Sequence, residues 1–216
     1  IRQQCTGFLH GLEICDAYIR SEKAQKILLV GAEFQSRYIE LTTENRDTAV
    51  IFADGAGAAI LKPSEDPGII YSKLGANGAY SDLLYVPYGT SKRPLKEQRN
   101  DNFLQMKGNE VFKVAVKTLE SIAKDSLKEV NMTSEDIDWF IPHQANIRII
   151  QAVSKRLNIP EKKVIISLTD HGNTSAASIP LALDQSIREG KIKTGDTVLL
   201  QSFGAGFTWG TVIIKI

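Results

Sequence analysis

The chain has few cysteines, almost no net charge and no long apolar run, and each shortage excludes a class of protein. Its two cysteines, Cys5 and Cys15, are too few for a disulfide framework and favour a reducing, cytoplasmic compartment. The formal net charge of +1 gives no electrostatic reason to expect nucleic acid or an anionic membrane as a partner. No run of apolar residues approaches the roughly 18 that are needed to span a bilayer. With 43% hydrophobic and 24% charged residues, the composition is that of an ordinary globular protein with a sizeable core.

Helical periodicities and apolar runs alternate along the chain and predict an α/β protein. Apolar residues at helical spacing predict helices over 7–20, 108–130 and 175–189. The continuous apolar run KILLVGAE at 26–33 predicts a strand buried on both faces. Two β-rich runs flank Asp54-Gly55, a dipeptide that favours a hairpin between 48–53 and 56–61. Further strands are predicted at 69–74, 138–141, 164–167, 197–203 and 208–214.

The order of the predicted elements is weakly repeated along the chain. In the first copy, Cys5 precedes a helix, an apolar strand and the sequence DGAGA. In the second copy, Asn173 precedes a helix, the strand DTVLLQSF and the turn GAG. A duplication of this kind indicates two similar units. Because helices alternate with strands in both copies, we expect mixed, mostly parallel sheets that helices cover on both faces.

Three side chains that can take part in acyl transfer are each expected at the entrance of a helix: Cys5, His143 and Asn173. A cysteine at a helix N-terminus is near the positive end of the helix dipole, which favours the thiolate needed for thioester exchange. Histidine and asparagine can both donate a hydrogen bond to one developing oxyanion. Together the three predict a Cys/His/Asn acyl-transfer site. Taken singly, each also fits a structural role, as a buried cysteine, a hydrogen-bonded histidine or a helix cap.

Other candidate groups are assigned more ordinary roles. Cys15 lies in the apolar stripe of its helix, and His10 and His171 are expected to be structural. One cysteine, one histidine and one asparagine without close ligand spacing predict no metal site. The charged stretch 92–99 is expected to be a solvated loop. The glycine-rich turn 204–206 can offer a free backbone N–H to an oxyanion.

Six motifs resemble those of β-ketoacyl-acyl carrier protein synthase III, a condensing enzyme of the thiolase superfamily: CTGF at 5–8, DGAGA at 54–58, GNEVF at 108–112, HQAN at 143–146, GNTSAAS at 172–178 and FGAGFTWG at 203–210. Their number and order make the resemblance specific. It implies an α/β, thiolase-like fold of two similar halves, each with a mixed five-stranded sheet and helices in layers. The implied division is 1–75 for the remainder of the first half, 76–105 for a connecting loop region and 106–216 for the second half.

By the same resemblance, the reaction is a decarboxylative Claisen condensation that initiates fatty acid synthesis. Cys5 takes the acyl group from acyl-CoA, and His143 and Asn173 assist decarboxylation of malonyl-acyl carrier protein and its condensation onto the acyl-enzyme. The backbone N–H groups of Cys5 and Ala205 form the oxyanion hole. Arg148 helps to dock the acidic carrier protein. The residues implied in binding CoA, pantetheine or the acyl chain are Arg46, Ile51, Phe52, Leu104, Gly108, Phe112, Ala145 and Asn146.

The resemblance also sets expectations about cofactors, partners and chain length. No cofactor is implied, because the CoA thioester and the phosphopantetheine of the carrier protein are substrates, and a homodimer is expected. The family has roughly one hundred further residues before the cysteine, the size of a small domain. The first half is therefore expected to be incomplete here, with the missing N-terminal segment as a further partner. Two other functions remain open: a related acyltransferase or polyketide or quinolone starter enzyme, and a truncated fragment without catalytic activity.

Overall fold

The computed structural model describes residues 1–66, 68–87 and 103–216 of the chain. The predicted solvated loop at 92–99, with half of the predicted connecting region, lies outside the described residues. Helices and strands alternate along the described chain, which makes it an α/β protein. None of the helices in these ranges combines the length and the apolar character needed to cross a bilayer.

The first unit starts with a 3₁₀ turn, Gln4–Thr6, that runs directly into helix α1 (Gly7–Arg20). The chain continues through strand β1 (Ile27–Glu33), the short helix α2 (Arg46–Ala49) and strand β2 (Gly55–Leu61). β1 and β2 pair antiparallel over their whole lengths. α1 packs on this pair, and Gly11 faces Leu29 of β1 with no room for a side chain. The unit is therefore a helix on a two-stranded sheet.

The second unit contains the remaining strands and most of the helices. Its strands are β3 (Ile69–Ala76), β4 (Leu84–Tyr85), β5 (Gln105–Met106), β6 (Trp139–Pro142), β7 (Thr197–Gly204) and β8 (Thr208–Lys215). Its helices are α3 (Gly108–Glu129), α4 (Ile147–Arg156), α5 (Leu168–His171) and α6 (Ser178–Arg188). Four strands form a mixed sheet in the order β3-β8-β7-β6, in which β6 and β7 are parallel. β4 and β5 form a separate antiparallel pair.

Helices cover both faces of the four-stranded sheet. On one face, Leu119 of α3 and Val153 of α4 share a core cluster with Leu199 of β7. On the other face, Leu9 of α1 and Ile179 of α6 share a cluster with the alternate residues of β7. All eight residues of β7 are buried, so this strand lies at the centre of the molecule. The expected layers of helices around a mixed sheet are therefore present. The prediction that the sheets are mostly parallel is wrong, because β6 and β7 are the only parallel pair among the strands of the described residues, and β7 turns directly back into β8.

The weak sequence repeat has a structural counterpart. Cys5 lies in a 3₁₀ turn that leads into α1, and Asn173 lies just before the 3₁₀ turn Ser175–Ala177 that leads into α6. Each helix is followed by a strand that pairs antiparallel with the next strand of its sheet, β1 with β2 and β7 with β8. The two candidate residues thus occupy equivalent positions in the two units.

The predicted hairpin at Asp54-Gly55 is wrong. Part of its first strand forms α2, and its second strand, β2, pairs with β1. Phe52 instead makes an isolated parallel bridge with Asn173. Asp54 accepts hydrogen bonds from the backbone N and from Oγ of Ser36 at 2.8 and 2.7 Å. The dipeptide expresses a local turn preference, and the longer-range pairing of two apolar strands outweighs it.

Two further details differ from the predicted strands. β1 was expected to be buried on both faces, but Leu28 and Val30 are 65% and 52% exposed, because none of the described residues covers that side. The predicted strand at 164–167 is reduced to one bridge, between Val164 and Phe140 of β6. The sheets of the described chain are thus smaller than the five strands expected in each half.

Because β3 pairs with β8, we propose that the second half begins at Ile69 rather than after residue 75.

Candidate active site

Cys5 is held against the turn between β7 and β8. Ser202 Oγ donates a hydrogen bond to the Cys5 carbonyl oxygen at 2.7 Å. Gly204 lies so close that a Cβ on it would come 2.8 Å from Cys5 Cβ, so this position requires glycine. Gln4, just before the cysteine, has φ +44°, in the left-handed region. Such conformations persist where surrounding contacts fix them, and they are frequent at functional sites.

His143 follows β6, and two contacts fix its backbone and its ring. Its backbone N–H donates to the Gln201 carbonyl oxygen of β7 at 2.7 Å. Its Nδ1 lies 2.6 Å from Ser178 Oγ, at the start of α6. Ser178 Oγ accepts a hydrogen bond from the Gln144 backbone N–H at 3.3 Å, and its own proton can be donated to Nδ1. In that tautomer the ring proton is on Nε2, which can donate to a ligand.

Asn173 is fixed through both its backbone and its side chain. Its N–H donates to the Ile51 carbonyl oxygen, and its carbonyl oxygen accepts from the Ala53 N–H, both at 2.9 Å. Its Oδ1 accepts from the Ser175 backbone N–H at 2.9 Å. The neighbouring Gly172 has φ +66°, a conformation that favours glycine. With Oδ1 occupied, the amide nitrogen is the group that Asn173 can offer to a ligand.

Gln144, beside His143, ties the segments of the two candidate donors together. It is fully buried, and both atoms of its amide are used. Nε2 donates to the carbonyl oxygens of Pro142 and Ile165 at 2.7 and 3.2 Å. Oε1 accepts from the backbone N–H groups of Ser167 and Leu168 at 2.9 and 3.1 Å. The turn after β6 is thereby fixed to α5, which leads into Asn173.

Replacing Gln144 by leucine should lower the free energy of unfolding by about 3–5 kcal/mol, because four buried backbone groups lose their partner. Urea denaturation of the intact protein measures the change. Gln151→Leu is the matched control: Gln151 is exposed on α4, and its replacement should change the free energy of unfolding by less than about 0.5 kcal/mol. A loss below about 1 kcal/mol for Gln144→Leu would contradict this role.

Cys5, His143 and Asn173 line one cavity of about 530 Å³. Asn146 also lines it and caps α4, accepting a hydrogen bond from the Arg148 backbone N–H at 2.8 Å. The other residues implied in binding that lie on this cavity are Ile51, Phe52, Gly108, Phe112, Ala145 and Arg148. The guanidinium of Arg148 is 5.7 Å from the centre of the Phe112 ring. The cavity is therefore apolar along α3 and polar at its Cys/His/Asn end.

Three of the implied residues lie outside this cavity. Leu104 and Ala205 line a second cavity of about 860 Å³. Arg46 is exposed at the start of α2, next to Asp47 and Thr48, which do line the first cavity. The structure thus gathers most of the implied residues on one cavity and places these three outside it.

Burial sets the charge of both titratable groups at the candidate site. It is the main reason that the pKa of the Cys5 thiol is raised to about 11. A hydrogen bond from Ser175 lowers this pKa, and the Glu33 carboxylate raises it. Burial also lowers the pKa of His143 to about 4. Near neutral pH, Cys5 is therefore a thiol and His143 is uncharged. The thiolate predicted from the helix end is wrong for this state, because Cys5 is buried in a 3₁₀ turn before α1.

Sequence reasoning missed several residues that hold the site. Ser175 and Ser178 belong to the motif at 172–178, but the motif alone does not tell which side chains they face. Glu33 ends the apolar run of β1, and a carboxylate at the end of such a run is the sequence signal that could have identified it as a site residue. Gln144 belongs to the motif at 143–146, but its partners at Ile165 and Ser167 are more than 20 residues away and the motif does not name them. Ser202 carries no local signal, because its partner is 197 residues away in the chain.

Comparisons with known proteins agree on one family. One family model, 3-oxoacyl-[acyl-carrier-protein (ACP)] synthase III, matches residues 1–78, and the model of its C terminal matches residues 127–216. The curated β-ketoacyl-[acyl-carrier-protein] synthase III of Alkalilimnicola ehrlichii is 47% identical over 211 residues, 98% of this chain and 65% of the relative. The crystal structure of 3-oxoacyl-[acyl-carrier-protein] synthase III from Aquifex aeolicus VF5 matches with a TM-score of 0.90 and 40% identity, covering 99% of this chain and 65% of that one.

A third match comes from another pathway. The priming β-ketosynthase of the R1128 polyketide biosynthetic pathway has a TM-score of 0.88 and 34% identity, covering 98% of this chain and 64% of that one. These matches define a thiolase-like α/β protein. The chain belongs to the β-ketoacyl-acyl carrier protein synthase III family. It spans just under two thirds of the length of the curated relatives that it matches, 65–66%.

Proposed function

We propose that this protein is an acyltransferase that condenses an acyl-CoA primer with malonyl-acyl carrier protein and so initiates fatty acid synthesis. The observation that carries the proposal is that Cys5, His143 and Asn173 line one cavity of about 530 Å³. A nucleophile and two hydrogen-bond donors around one space are what acyl transfer followed by decarboxylation requires. No cofactor takes part, because both thioesters are substrates.

In the first half-reaction, Cys5 attacks the carbonyl carbon of the acyl-CoA thioester. The new bond joins Cys5 Sγ to the acyl carbon, the bond to the CoA sulfur breaks, and the thiol proton leaves with CoA. The backbone N–H groups of Cys5 and Ala205 are proposed to bind the oxyanion that forms on the way. The close approach of Gly204 to Cys5 supports this, because it brings the turn 204–206 against the nucleophile.

In the second half-reaction, malonyl-acyl carrier protein loses carbon dioxide. The electron pair of the broken C–C bond becomes an enolate, whose oxygen accepts hydrogen bonds from Nε2 of His143 and from the amide nitrogen of Asn173. The enolate carbon then attacks the acyl group on Cys5, and Cys5 Sγ leaves as the carbon–carbon bond forms. A neutral imidazole with its proton on Nε2 donates one hydrogen bond to this oxygen, so the donor role does not require the buried ring to become charged.

The walls of the cavity suggest how the substrates bind. Ile51 and Phe52 are proposed to contact the acyl chain, and Gly108, Phe112, Ala145 and Asn146 the pantetheine arm. Arg148, stacked over Phe112, offers a cation for the acidic carrier protein. The proposed binding roles of Leu104, on the second cavity, and of exposed Arg46 require substrate contacts beyond the first cavity. Within the described ranges, no group of three or more histidine, cysteine, aspartate or glutamate residues is placed so that it could hold a metal ion.

A homodimer and a cytoplasmic location are part of the same proposal. Leu28, Val30 and Ile60 are more than half exposed on the β1–β2 sheet. Subunit interfaces bury apolar faces of this kind. Cys5 and Cys15 are both free thiols, which suits a reducing compartment.

A starter enzyme of polyketide synthesis is the second candidate function, because the R1128 priming ketosynthase matches nearly the whole described fold. Incubating the intact protein with acetyl-CoA should add one acetyl group to the peptide that contains Cys5, as mass spectrometry detects. Absence of this adduct would favour a non-catalytic role and contradict the proposal. Adding malonyl-acyl carrier protein and identifying the product then separates a fatty acid primer from a polyketide starter.

A further inference from the structure

Ser175 lies between the Cys5 sulfur and a carboxylate. Its Oγ is 3.5 Å from Cys5 Sγ and 3.2 Å from Glu33 Oε1. The serine is 1% exposed, and it lies behind Cys5, outside the cavity that Cys5 lines. Glu33 is half-buried and faces the second cavity. The three side chains thus form a row that leads from the first cavity to the second.

The position of Ser175 is fixed independently of its hydroxyl. Its backbone N–H donates to Asn173 Oδ1 at 2.9 Å, and its φ of +52° lies in the left-handed region. Glu33 Oε1 also accepts from the Ala176 backbone N–H at 3.4 Å, so the carboxylate is itself attached to the start of this helix. A non-glycine residue in this conformation costs free energy, and it is kept where surrounding contacts hold it in place.

A serine hydroxyl has one proton to donate, and here two acceptors are in reach. While Cys5 is a thiol, its S–H can donate to Ser175 Oγ, and the serine proton can go to the Glu33 carboxylate. Once the sulfur is a thiolate it no longer has a proton to give and becomes a charged acceptor. Hydrogen bonds to charged acceptors are stronger than those to neutral ones, so the serine proton is then drawn to sulfur.

We propose that Ser175 is a further catalytic residue, whose hydroxyl moves its hydrogen bond from Glu33 to the Cys5 sulfur as that sulfur becomes the nucleophile. The proposal rests on the function proposed above. Ser175 neither gains nor loses a proton, because Oγ keeps its hydrogen throughout. The proton of the Cys5 thiol leaves with the departing thiol. Glu33 is a positioning residue that holds the hydroxyl away from sulfur in the resting state.

The charge of Glu33 and its hydrogen bond with the Ser175 hydroxyl both disfavour the Cys5 thiolate. A carboxylate near the sulfur opposes formation of a second negative charge. The hydrogen bond from Ser175 lowers the pKa of Cys5 and the Glu33 carboxylate raises it, which are the signs that this arrangement requires. Burial, which raises the pKa of Cys5 most, and the Glu33 carboxylate together keep the resting Cys5 protonated near neutral pH.

Alkylation of the intact protein by iodoacetamide at pH 8 tests the proposal without any acyl substrate. The rate is read from the Cys5 peptide, which separates it from Cys15. In Ser175→Ala the thiolate loses a hydrogen bond, which lowers its fraction by about 10- to 150-fold, while the higher pKa makes the remaining thiolate more nucleophilic. The net expectation is a rate about 5- to 15-fold lower. Ser175→Gly, which suits the positive φ, should give the same loss.

Glu33→Gln should have the opposite effect and raise the alkylation rate roughly 3- to 10-fold, since it removes the charge and weakens the hold on the serine proton. Thr174→Val is the matched control, because it removes the adjacent buried hydroxyl, which has no partner within the described part of the chain. Its rate should stay within about twofold of the unmodified protein. If both Ser175 variants also stay within twofold, or if Glu33→Gln slows alkylation, the proposal is overturned.

The double variant distinguishes two explanations of the Glu33→Gln effect: release of the Ser175 hydrogen bond, and loss of the repulsion between the Glu33 carboxylate and the Cys5 thiolate. In the Ser175→Ala background, Glu33→Gln should accelerate alkylation less than it does when Ser175 is present, because no hydroxyl remains to be released. An equal acceleration in both backgrounds would show that Glu33 acts by charge alone, and would overturn the shared-proton role. Because alkylation needs no acyl-CoA, these outcomes are independent of whether the acyl adduct of the proposed function forms.

Discussion

Cys5→Ala should leave the intact protein unable to form an acyl adduct from acetyl-CoA and unable to release a condensation product. Cys5 is the sulfur that lines the cavity with His143 and Asn173. A thioester intermediate needs that sulfur, and removal of a covalent nucleophile typically costs on the order of 10⁶-fold in rate. Mass spectrometry of the Cys5 peptide and a radiolabelled condensation assay measure the two losses.

Cys15→Ala is the matched control for this substitution. Cys15 is buried in α1 and does not line the cavity, and burial raises its pKa as well. The variant should therefore form the acyl adduct at a rate close to that of the unmodified protein. An adduct that survives Cys5→Ala but disappears in Cys15→Ala would contradict the assignment of the nucleophile.

The same half-reaction should depend on pH in a way that reports the charge of Cys5. With a thiol pKa of about 11, the thiolate fraction rises about tenfold per pH unit across the neutral range. Acylation should follow this slope between pH 6 and 9 without a plateau, wherever attack by sulfur limits the rate. A plateau that begins near pH 7 would instead indicate a thiolate stabilised by the helix end, as the sequence predicted.

The positions of the candidate residues could be predicted because each depends on local sequence. His143 follows an apolar strand that ends at a proline, and Asn146 three residues later caps α4. Cys5 and Asn173 each precede a helix whose apolar spacing is clear. The repeat of these signals predicted two similar units, and α1 with β1–β2 and α6 with β7–β8 match that prediction.

The features that could not be predicted depend on pairing between distant segments. The hairpin at Asp54-Gly55 failed because β1, more than twenty residues earlier, pairs with β2. β3 lies beside β8, which is more than one hundred residues later, and the proposed boundary at Ile69 rests on this long-range pairing. In each case a local preference is worth little compared with the apolar area that long-range pairing buries.

The charge of Cys5 is another feature that could not be predicted from local sequence. Sequence indicated the helix end, which favours a thiolate, but gave no measure of burial or of the carboxylate nearby. The structure supplies both, and burial is the largest influence on the pKa of Cys5. The row from Cys5 through Ser175 to Glu33 joins three segments of the chain, and 170 residues separate the cysteine from the serine. Such a contact is visible only once the fold is known.

His143→Ala and Asn173→Ala should each slow release of carbon dioxide from malonyl-acyl carrier protein by about a hundred- to a thousandfold, while acylation of Cys5 remains nearly unchanged. Each variant removes one donor to the enolate oxygen, a loss that typically costs roughly 3–4 kcal/mol. Attack by Cys5 uses backbone N–H groups and the sulfur, and both remain in the two variants. The double variant should lose less than the product of the two single losses, because groups that act on one oxygen are not additive.

Two assays on the intact protein separate the half-reactions: transfer of radiolabel from acetyl-CoA to Cys5, and release of carbon dioxide from malonyl-acyl carrier protein. His171→Ala is the matched control, since His171 does not line the cavity, and both rates should stay near those of the unmodified protein. Because His143 stays neutral above its pKa of about 4, decarboxylation should not fall as the pH is lowered from 8 to 6. If His143→Ala slows acylation as severely as decarboxylation, His143 is the base that deprotonates Cys5 rather than a donor to the enolate.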